Sequence, residues 1–282
     1  MPPERRPFLA ACVQMRSGID RKRNVEDGRA LIADAAAQGA SFVVTPEMTN
    51  VLDRDAKRLF AHLPEESALD EVEAFAAMAR EFGVWLLVGS MAVKVGERRA
   101  ANRGYLYSPH GEIAARYDKL HMFDVDLPNG ESWKESNVYR PGEGAVLADT
   151  PPAKFGLTIC YDVRFPHLYR ALAQAGAEVL CVPAAFTRQT GEAHWKTLLT
   201  ARAIENGAFV IAPAQGGVHE DGRATWGHSI IVGPWGDVRA EAANDEPGVI
   251  IADIDLKDVH EARQRIPNLG LEQKFEITII KQ

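Results

Sequence analysis

The chain has 282 residues and contains 32 lysines and arginines against 39 aspartates and glutamates, for a formal net charge of −7. Binding DNA or RNA depends on clustered cations that neutralise phosphates, so this charge and the lack of a long basic run disfavour a nucleic-acid partner. Hydrophobic residues make up 46% and charged residues 25% of the chain, which excludes disorder and collagen-like repeats and predicts a globular protein with a large core.

Cysteine usage and the lengths of the apolar runs predict the compartment. The three cysteines, Cys12, Cys160 and Cys181, are too few for a disulfide framework and leave one unpaired, as expected in a reducing cytoplasm. The apolar run from Phe8 to Val13 is too short for a secretory core, and no run approaches the roughly 18 to 20 residues of a membrane span. We therefore expect a cytoplasmic protein without a membrane partner.

Apolar and amphipathic segments alternate along the chain, which is typical of an α/β protein. Short apolar runs rich in β-branched residues predict buried strands at 8–15, 41–47, 84–90, 178–184 and 208–214. Amphipathic stretches predict helices at 24–38, 69–82, 167–175 and 192–206. Segments 102–118 and 227–242 each contain two strand-like arms joined by a turn with Pro and Gly, so we expect hairpins and a partly antiparallel sheet.

The domain organisation is predicted to be simple. No linker rich in Pro, Gly or Ser, no shift in composition and no repeat divides the chain, which favours one domain over residues 1–282. The last segment, 268–282, follows an Ile-Pro break and alternates polar and apolar residues. This pattern fits either an arm that lies on a partner subunit or an edge strand.

Several familiar signatures of cofactor and metal sites are missing. The sequence contains no GxGxxG and no GxxxxGK[ST] motif, and its eight histidines form no HxxxH pair or Cys/His cluster. The segment around Ser229 lacks the closing glycine of a nucleophile elbow. We therefore expect no cofactor and no metal, and no serine-hydrolase chemistry.

Cys160 stands at a predicted junction between a strand and a helix. An apolar strand leads into it, Asp162 is suited to cap the following helix, and Pro166 is suited to its first turn. Unsatisfied amides and the helix dipole at such a junction favour the thiolate, the nucleophilic form of cysteine. The alternative is a buried structural cysteine, which is the usual role of a free thiol and the one we assign to Cys12 and Cys181.

An activated thiol needs a base and a group that stabilises an oxyanion, and two segments offer them. Glu47 follows a buried strand and a proline, at the carboxyl end of the strand, where open α/β sheets bind ligands. Lys119 follows the first predicted hairpin and is surrounded by apolar and aromatic residues. Taken singly, each also fits an ordinary surface residue.

The three segments together resemble the nitrilase superfamily of carbon–nitrogen hydrolases, in which a Glu-Lys-Cys triad occurs in this chain order. The matching motifs are Pro-Glu at 46–47, Tyr-Asp-Lys-Leu-His at 117–121 and Cys-Tyr-Asp-Val-Arg-Phe-Pro at 160–166. The resemblance extends from about Phe8 to Pro267 and includes blocks around Trp195, Asn206 and Ser229. True nitrilases usually have Trp-Glu after the nucleophile, whereas Tyr161 and Asp162 stand here, and the chain is most similar to the branch of ω-amidases and deaminated-glutathione amidases.

The resemblance implies an α/β fold with four α-β-β-α layers and two mixed β-sheets, assembled as a homodimer or a higher homo-oligomer. It also implies hydrolysis of a small carboxylate-bearing amide, such as deaminated glutathione or an α-keto ω-amide, through a thioester with release of ammonia. Glu47 would accept the proton of Cys160, and Lys119 with the backbone N–H of Tyr161 would hold the oxyanion. Glu135, 16 residues after Lys119, would fix the amide and support the second step, or would be a structural acid bonded to loop amides.

The sequence leaves alternatives open for the residues of the substrate pocket and for the type of reaction. Arg164 is a candidate partner for a substrate carboxylate, because guanidinium offers a bidentate fork, and its alternative is an ion pair with a helix-terminal acid. Tyr161, Phe123, Phe186 and Trp195 are candidates for the pocket wall, although core packing is the commoner role of such aromatics. The same triad would also serve N-carbamoyl or nitrile hydrolysis, and an inactive binding scaffold is the remaining alternative.

Overall fold

The computed structural model describes residues 5–128 and 130–281. Its strands are β1 (Phe8–Gln14), β2 (Phe42–Val44), β3 (Trp85–Gly96), β4 (Arg99–Tyr107), β5 (Ile113–Asp118), β6 (Asp124–Asp126), β7 (Ser132–Lys134), β8 (Tyr139–Arg140), β9 (Val146–Asp149), β10 (Lys154–Leu157), β11 (Val179–Cys181), β12 (Phe209–Ala212), β13 (Gly216–Val218), β14 (Ala224–Trp226), β15 (Ile230–Val232), β16 (Val238–Glu241) and β17 (Gly248–Ile254). Its α-helices are α1 (Arg21–Ala37), α2 (Ala56–His62), α3 (Asp70–Phe82), α4 (Pro166–Gln174), α5 (Arg188–Asn206) and α6 (Leu256–Arg265). Short 3₁₀ helices span Glu66–Ala68, Glu135–Asn137, Cys160–Arg164 and Asn268–Gly270.

Two mixed sheets form the centre of the molecule. The first has the strand order β17-β1-β2-β3-β4-β5, with β8 beside β4, and the second has the order β16-β15-β12-β11-β10-β9. Within each sheet three adjacent strands are parallel, β1-β2-β3 in the first and β10-β11-β12 in the second, and the remaining pairs are antiparallel apart from β4 and β8. The two predicted hairpins are present as β4-β5 and β15-β16.

The alternation of side chains along the first sheet explains the layers. Phe8 and Phe42 face the second sheet, where Phe42 stacks on Phe155 with ring centroids 4.1 Å apart. The alternate positions Ala11 and Val13 belong to a separate core under α1 and α3. Helices α4 and α5 cover the other face of the second sheet. Each apolar face is therefore buried, and the predicted α-β-β-α sandwich is confirmed.

Capping residues set the helix boundaries and correct two of the predicted ones. Asp20 accepts hydrogen bonds from the amides of Lys22 and Arg23, so α1 begins three residues before the predicted start. Thr187 caps α5 by accepting from the amide of Thr190, so this helix begins at Arg188 and not at residue 192. Both helices begin where a side-chain oxygen can satisfy free amides of the first turn.

The C-terminal tail is not a strand. Residues 271–281 contain no helix or strand, so the edge-strand interpretation is wrong. The start of the tail is held against α4, where Arg170 donates to Glu272 at 3.0 Å. Its apolar side chains are exposed, with Phe275 and Ile280 each at 83%. In the described part of the chain, no helix is both long and apolar enough to cross a membrane.

Candidate active site

Glu47, Lys119 and Cys160 lie together at one end of the two sheets. Each follows a strand: Glu47 comes after β2, Lys119 directly after β5, and Cys160 after β10, at the start of a 3₁₀ turn. The Nζ of Lys119 donates to Oε1 of Glu47 at 2.8 Å, and the thiol of Cys160 hydrogen-bonds the same carboxylate. All three line one cavity of about 370 Å³, so the sulfur is buried but reachable from the cavity.

Glu47 is a buried carboxylate surrounded by donors. Its Oε1 accepts from Lys119 and from Nδ2 of Asn102, both at 2.8 Å, and its Oε2 accepts from the amide of Ala185 at 2.8 Å. Burial opposes ionisation, but the charge of Lys119 and the hydrogen bonds from Lys119, Cys160 and Asn102 outweigh it and hold the pKa of Glu47 below its usual value. The carboxylate is therefore ionised and able to accept a proton.

Lys119 bridges two acids. Its Nζ donates to Glu47 and to both carboxylate oxygens of Glu135, at 3.0 and 2.9 Å. Burial alone would lower the pKa of Lys119, but the charges of Glu135 and Glu47 raise it above its usual value. Glu135 also accepts from the amide of Phe123 at 2.6 Å, so it ties the loop after Lys119 to the site. The ammonium is thus kept charged inside the cavity.

Cys160 is held as a neutral thiol, in contrast to the thiolate expected from its junction. Burial raises the pKa of Cys160, and the neighbouring charge and hydrogen bond of Glu47 raise it further, against the opposing effects of Lys119 and the Ala185 amide. The following α4 begins only at Pro166, after the 3₁₀ turn, so the dipole of α4 does not start at the sulfur. The thiol needs a base, and Glu47 is beside it.

Two residues of the site have positive φ angles, which residues other than glycine rarely adopt. Cys160 has a φ of 50°, and Met48, directly after Glu47, has a φ of 56°. Gln215 supports the second of these bends, because its Nε2 donates to the carbonyls of Glu47 and Met48 at 3.0 and 3.4 Å. Gly89 packs against the same loop, where a Cβ would lie 2.1 Å from the carbonyl of Thr45. The surrounding packing therefore holds a strained arrangement of the acid and the thiol.

Asp162 joins the cysteine turn to the lysine segment. Its side chain is fully buried and accepts from the amide of Ile159 at 2.9 Å, which caps the turn that begins at Cys160. It also accepts from the hydroxyl of Tyr117 at 2.7 Å and from the amide of His121 at 3.1 Å, and its Oδ1 lies 2.7 Å from the His121 ring. One carboxylate thus connects the residues on both sides of Lys119 to the nucleophile.

Of the five predicted pocket residues, three line the cavity in the structure and two lie outside it. Tyr161, Phe123 and Phe186 line the cavity, whereas Arg164 and Trp195 do not. The Arg164 guanidinium lies over Phe186, 5.3 Å from the ring centroid, and hydrogen-bonds His194 at 3.3 Å. Trp195 packs against Phe186 and donates its Nε1 to the carbonyl of His228 at 2.8 Å, so it supports the wall from behind.

Four other residues of the site are not predicted from the sequence. Asn102 in β4 is fully buried and donates to both Glu47 and Glu135. The only feature of the sequence that could indicate its role is a polar residue inside a strand. Trp133, Arg54 and Arg223 line the same cavity and come from three separate segments. Within residues 5–128 and 130–281, no group of three or more His, Cys, Asp or Glu side chains is arranged to hold a metal ion.

Comparison with known proteins identifies the family. Residues 9–264 match the family model described as carbon-nitrogen hydrolase. The chain belongs to the carbon-nitrogen hydrolase family. It is 41% identical over 268 residues to the deaminated glutathione amidase of Synechocystis sp., covering 94% of this chain and 97% of that protein.

Solved structures of this family have the same fold. Nit3 of Saccharomyces cerevisiae, a member of branch 10 of the nitrilase superfamily, superposes with a TM-score of 0.84 and 27% identity, covering 95% of this chain and 96% of that one. A mutant of the amidase from Nesterenkonia sp. AN1, with the acetamide moiety of fluoroacetamide added covalently at its active site cysteine, has a TM-score of 0.78 and 26% identity, covering 96% and 98%. The present carbon-nitrogen hydrolase therefore shares its fold with amidases.

Proposed function

We propose that this hydrolase cleaves a carboxylate-bearing amide through a thioester on Cys160, with Glu47 as the base and Lys119 as the oxyanion partner. The observation that supports this most is the arrangement around Lys119 Nζ, which lies 2.8 Å from Glu47 Oε1 in the cavity that Cys160 also lines. An ionised acid, an ammonium and a protonated thiol at the end of one cavity are the groups that acyl transfer needs. The covalent adduct at the cysteine of the related Nesterenkonia amidase is consistent with this role.

In the first half of the reaction, Glu47 takes the Cys160 proton as the sulfur attacks the amide carbon. The carbonyl oxygen becomes negative and is stabilised by Lys119 and by the amide of Tyr161, which lies in the first turn of the 3₁₀ helix, where N–H groups lack a helical acceptor. When the carbon–nitrogen bond breaks, Glu47 gives its proton to the leaving nitrogen. The products of this half are a free amine, or ammonia, and a thioester.

In the second half, water replaces the leaving group and Glu47 removes its proton during attack on the thioester. The carbon–sulfur bond then breaks, the acid product leaves, and the proton returns to Cys160. Glu135 contacts Lys119 through both oxygens and also holds the Phe123 amide, so we assign it to positioning the ammonium and the pocket loop. The same carboxylate serves as the base twice, and it is ionised at the start of each half because its pKa is held below the usual value.

Deaminated glutathione is the substrate that we propose first, because relatives that match most of the chain have that name. The test is a panel of deaminated glutathione, an α-keto ω-amide, a nitrile and an N-carbamoyl amino acid, each assayed for its acid product. We expect turnover of the first or second compound, a thioester adduct on Cys160 by mass spectrometry, and no turnover by Cys160→Ala. Full activity of Cys160→Ala, or turnover of only the nitrile or carbamoyl compound, would contradict the proposal.

The remaining expectations from the sequence belong to the same proposal. We infer that the chain acts as a single domain and as a homodimer or a larger homo-oligomer, with the exposed apolar residues of segment 271–281 lying on a second copy. Cys12, Cys160 and Cys181 are all free thiols, which supports a reducing cytoplasmic location. Neither a cofactor nor a metal has a step in this mechanism.

A further inference from the structure

Two arginines contact the ring of a tryptophan in the wall of the catalytic cavity. The guanidinium of Arg223 lies 4.6 Å from the ring centroid of Trp133, and that of Arg54 lies 5.5 Å from the same ring. Arg54 precedes α2, Trp133 is in β7, and Arg223 lies in the turn between β13 and β14. All three line the cavity that contains Cys160, so two positive charges stand in the binding site in addition to Lys119.

Neither guanidinium has a hydrogen-bonded acid partner among the described residues. The Nε of Arg223 is buried and unbonded, and the nearest carboxylate oxygen in an ion pair, on Asp221, is 3.7 Å from its terminal nitrogen. Arg54 forms no ion pair in the same part of the chain. Neighbouring Arg58 differs, since it makes two hydrogen bonds of 2.7 Å to Asp53. A buried donor without an acceptor is unfavourable, and a bound anion would supply the acceptor that the Nε of Arg223 lacks.

Asp221 builds this arrangement but does not neutralise it fully. Its side chain is completely buried, its Oδ2 accepts from the backbone amide of Arg54 at 2.9 Å, and its Oδ1 accepts from the backbone amide of Arg223 at 2.9 Å. The backbones of the two arginines are thereby held near each other. Among the described residues Asp221 makes no hydrogen bond to either guanidinium, and its contact with the terminal nitrogen of Arg223 is 3.7 Å long, so the guanidinium donors remain available to a ligand.

The cavity contains two groups of charged residues with different partners. Glu47 and Glu135 surround Lys119 beside the thiol, and these two acids disfavour a second carboxylate there. Around Trp133 each acid already has a donor: Asp53 is bound to Arg58, Asp221 accepts from two backbone amides, and Glu131 accepts from the Trp133 ring nitrogen at 3.5 Å. An anionic group of the substrate is therefore best placed at Trp133, away from the reacting carbon.

The order of the reaction decides which part of the substrate faces the arginines. The acyl group stays on Cys160 while the leaving group departs and water takes its place, so the leaving group must face the open side of the cavity. We propose that Arg54 and Arg223 form an anion subsite for a carboxylate on the leaving amine. This inference rests on the proposed function and narrows its substrates to N-substituted amides whose amine part is itself an acid, such as a peptide with a free C-terminus.

Binding to Cys160→Ala tests the subsite without turnover. The probes are deaminated glutathione and the same molecule with its C-terminal carboxylate converted to a carboxamide, compared by calorimetry. We expect the carboxylate form to bind more tightly, with a ratio of the two dissociation constants of roughly tenfold to a hundredfold. In the double variant Arg54→Gln/Arg223→Gln we expect this ratio to be close to one. Arg58→Gln and Arg164→Gln are the matched controls and should keep the ratio, because one is paired with Asp53 and the other lies outside the cavity.

Two results would overturn the subsite. One is a ratio near one before any arginine is changed, and the other is an equal loss of affinity for both probes in the double variant, which would indicate a structural role. If the double variant does not fold, Arg223→Gln alone is measured in the same way. Turnover of deaminated glutathione by the unaltered protein tests the proposed function separately, since a missing activity with the expected binding ratio would reject only the reaction.

Discussion

At the scale of single residues, the chemistry of the site depends on the protonation states of Glu47 and Cys160. Glu47 is ionised because Lys119 and the amide donors offset its burial, while Cys160 is protonated because burial and the Glu47 charge both disfavour the thiolate. Cys12 and Cys181 are also buried, and burial raises their pKa values as well, but neither lies near an acid and a lysine. We therefore assign the proposed chemistry to Cys160 among the three thiols, with Glu47 as the group that controls its proton.

Glu47→Gln should make the Cys160 thiol more acidic and yet abolish turnover. The substitution removes the negative charge that raises the pKa of Cys160 and leaves the Lys119 ammonium, which lowers it. The thiolate would form more readily, but no base would remain to protonate the leaving nitrogen or to activate water. The measurement is ultraviolet titration of the thiolate, with Cys160→Ala as the blank for the two other cysteines. An unchanged or higher pKa would contradict this assignment.

At the scale of elements, the site depends on connections between strands that are distant in the chain. Asp162 links the turn after β10 to the end of β5 and to the loop beyond Lys119. On the other side of the cavity, Gln215 holds the loop after β2, and Ser17 in turn binds Gln215 at 2.8 Å. These buried polar groups fix the distances between the thiol, the ammonium and the acid. Such distances matter for catalysis, because an error of about 1 Å in an active site can lower the rate a hundredfold.

Asp162→Asn should lower the turnover number more than it changes KM. An amide in place of the carboxylate cannot accept from Ile159, Tyr117 and His121 all at once, and each hydrogen bond to a buried charge is worth about 1.5 to 3 kcal/mol. Tyr117→Phe is the matched control, since it removes one donor and keeps the carboxylate on the cysteine turn. Steady-state kinetics and thermal unfolding of both variants give the comparison. Equal kinetic losses in the two variants would argue against a role of Asp162 at the turn.

At the scale of the whole molecule, the sequence pattern predicts the α/β alternation, the family resemblance predicts the four layers, and neither predicts the contacts between layers. Glu47, Lys119 and Cys160 are predictable as a set, because each alone fits an ordinary residue and only their combined resemblance to the nitrilase superfamily selects them. The start of α5 was missed because Gly191 lowers helix propensity locally, and this glycine is required where a Cβ would lie 2.2 Å from Trp226. Asn102 and Arg223 could not be predicted, because only long-range packing brings them to the cavity.

The C-terminal segment should determine the size of the assembly. Phe275, Ile277 and Ile279 alternate with polar residues and are 83%, 82% and 76% exposed, which is a large apolar area for a tail with no strand partner. Replacing these three with Ser should therefore shift the protein to a smaller species in sedimentation velocity, because burial against a second copy would be lost. The matched control replaces the intervening Glu276 and Thr278 with Ser and should sediment like the unaltered protein. If the apolar variant keeps the unaltered mass, the tail does not hold the subunits together and their interface lies elsewhere.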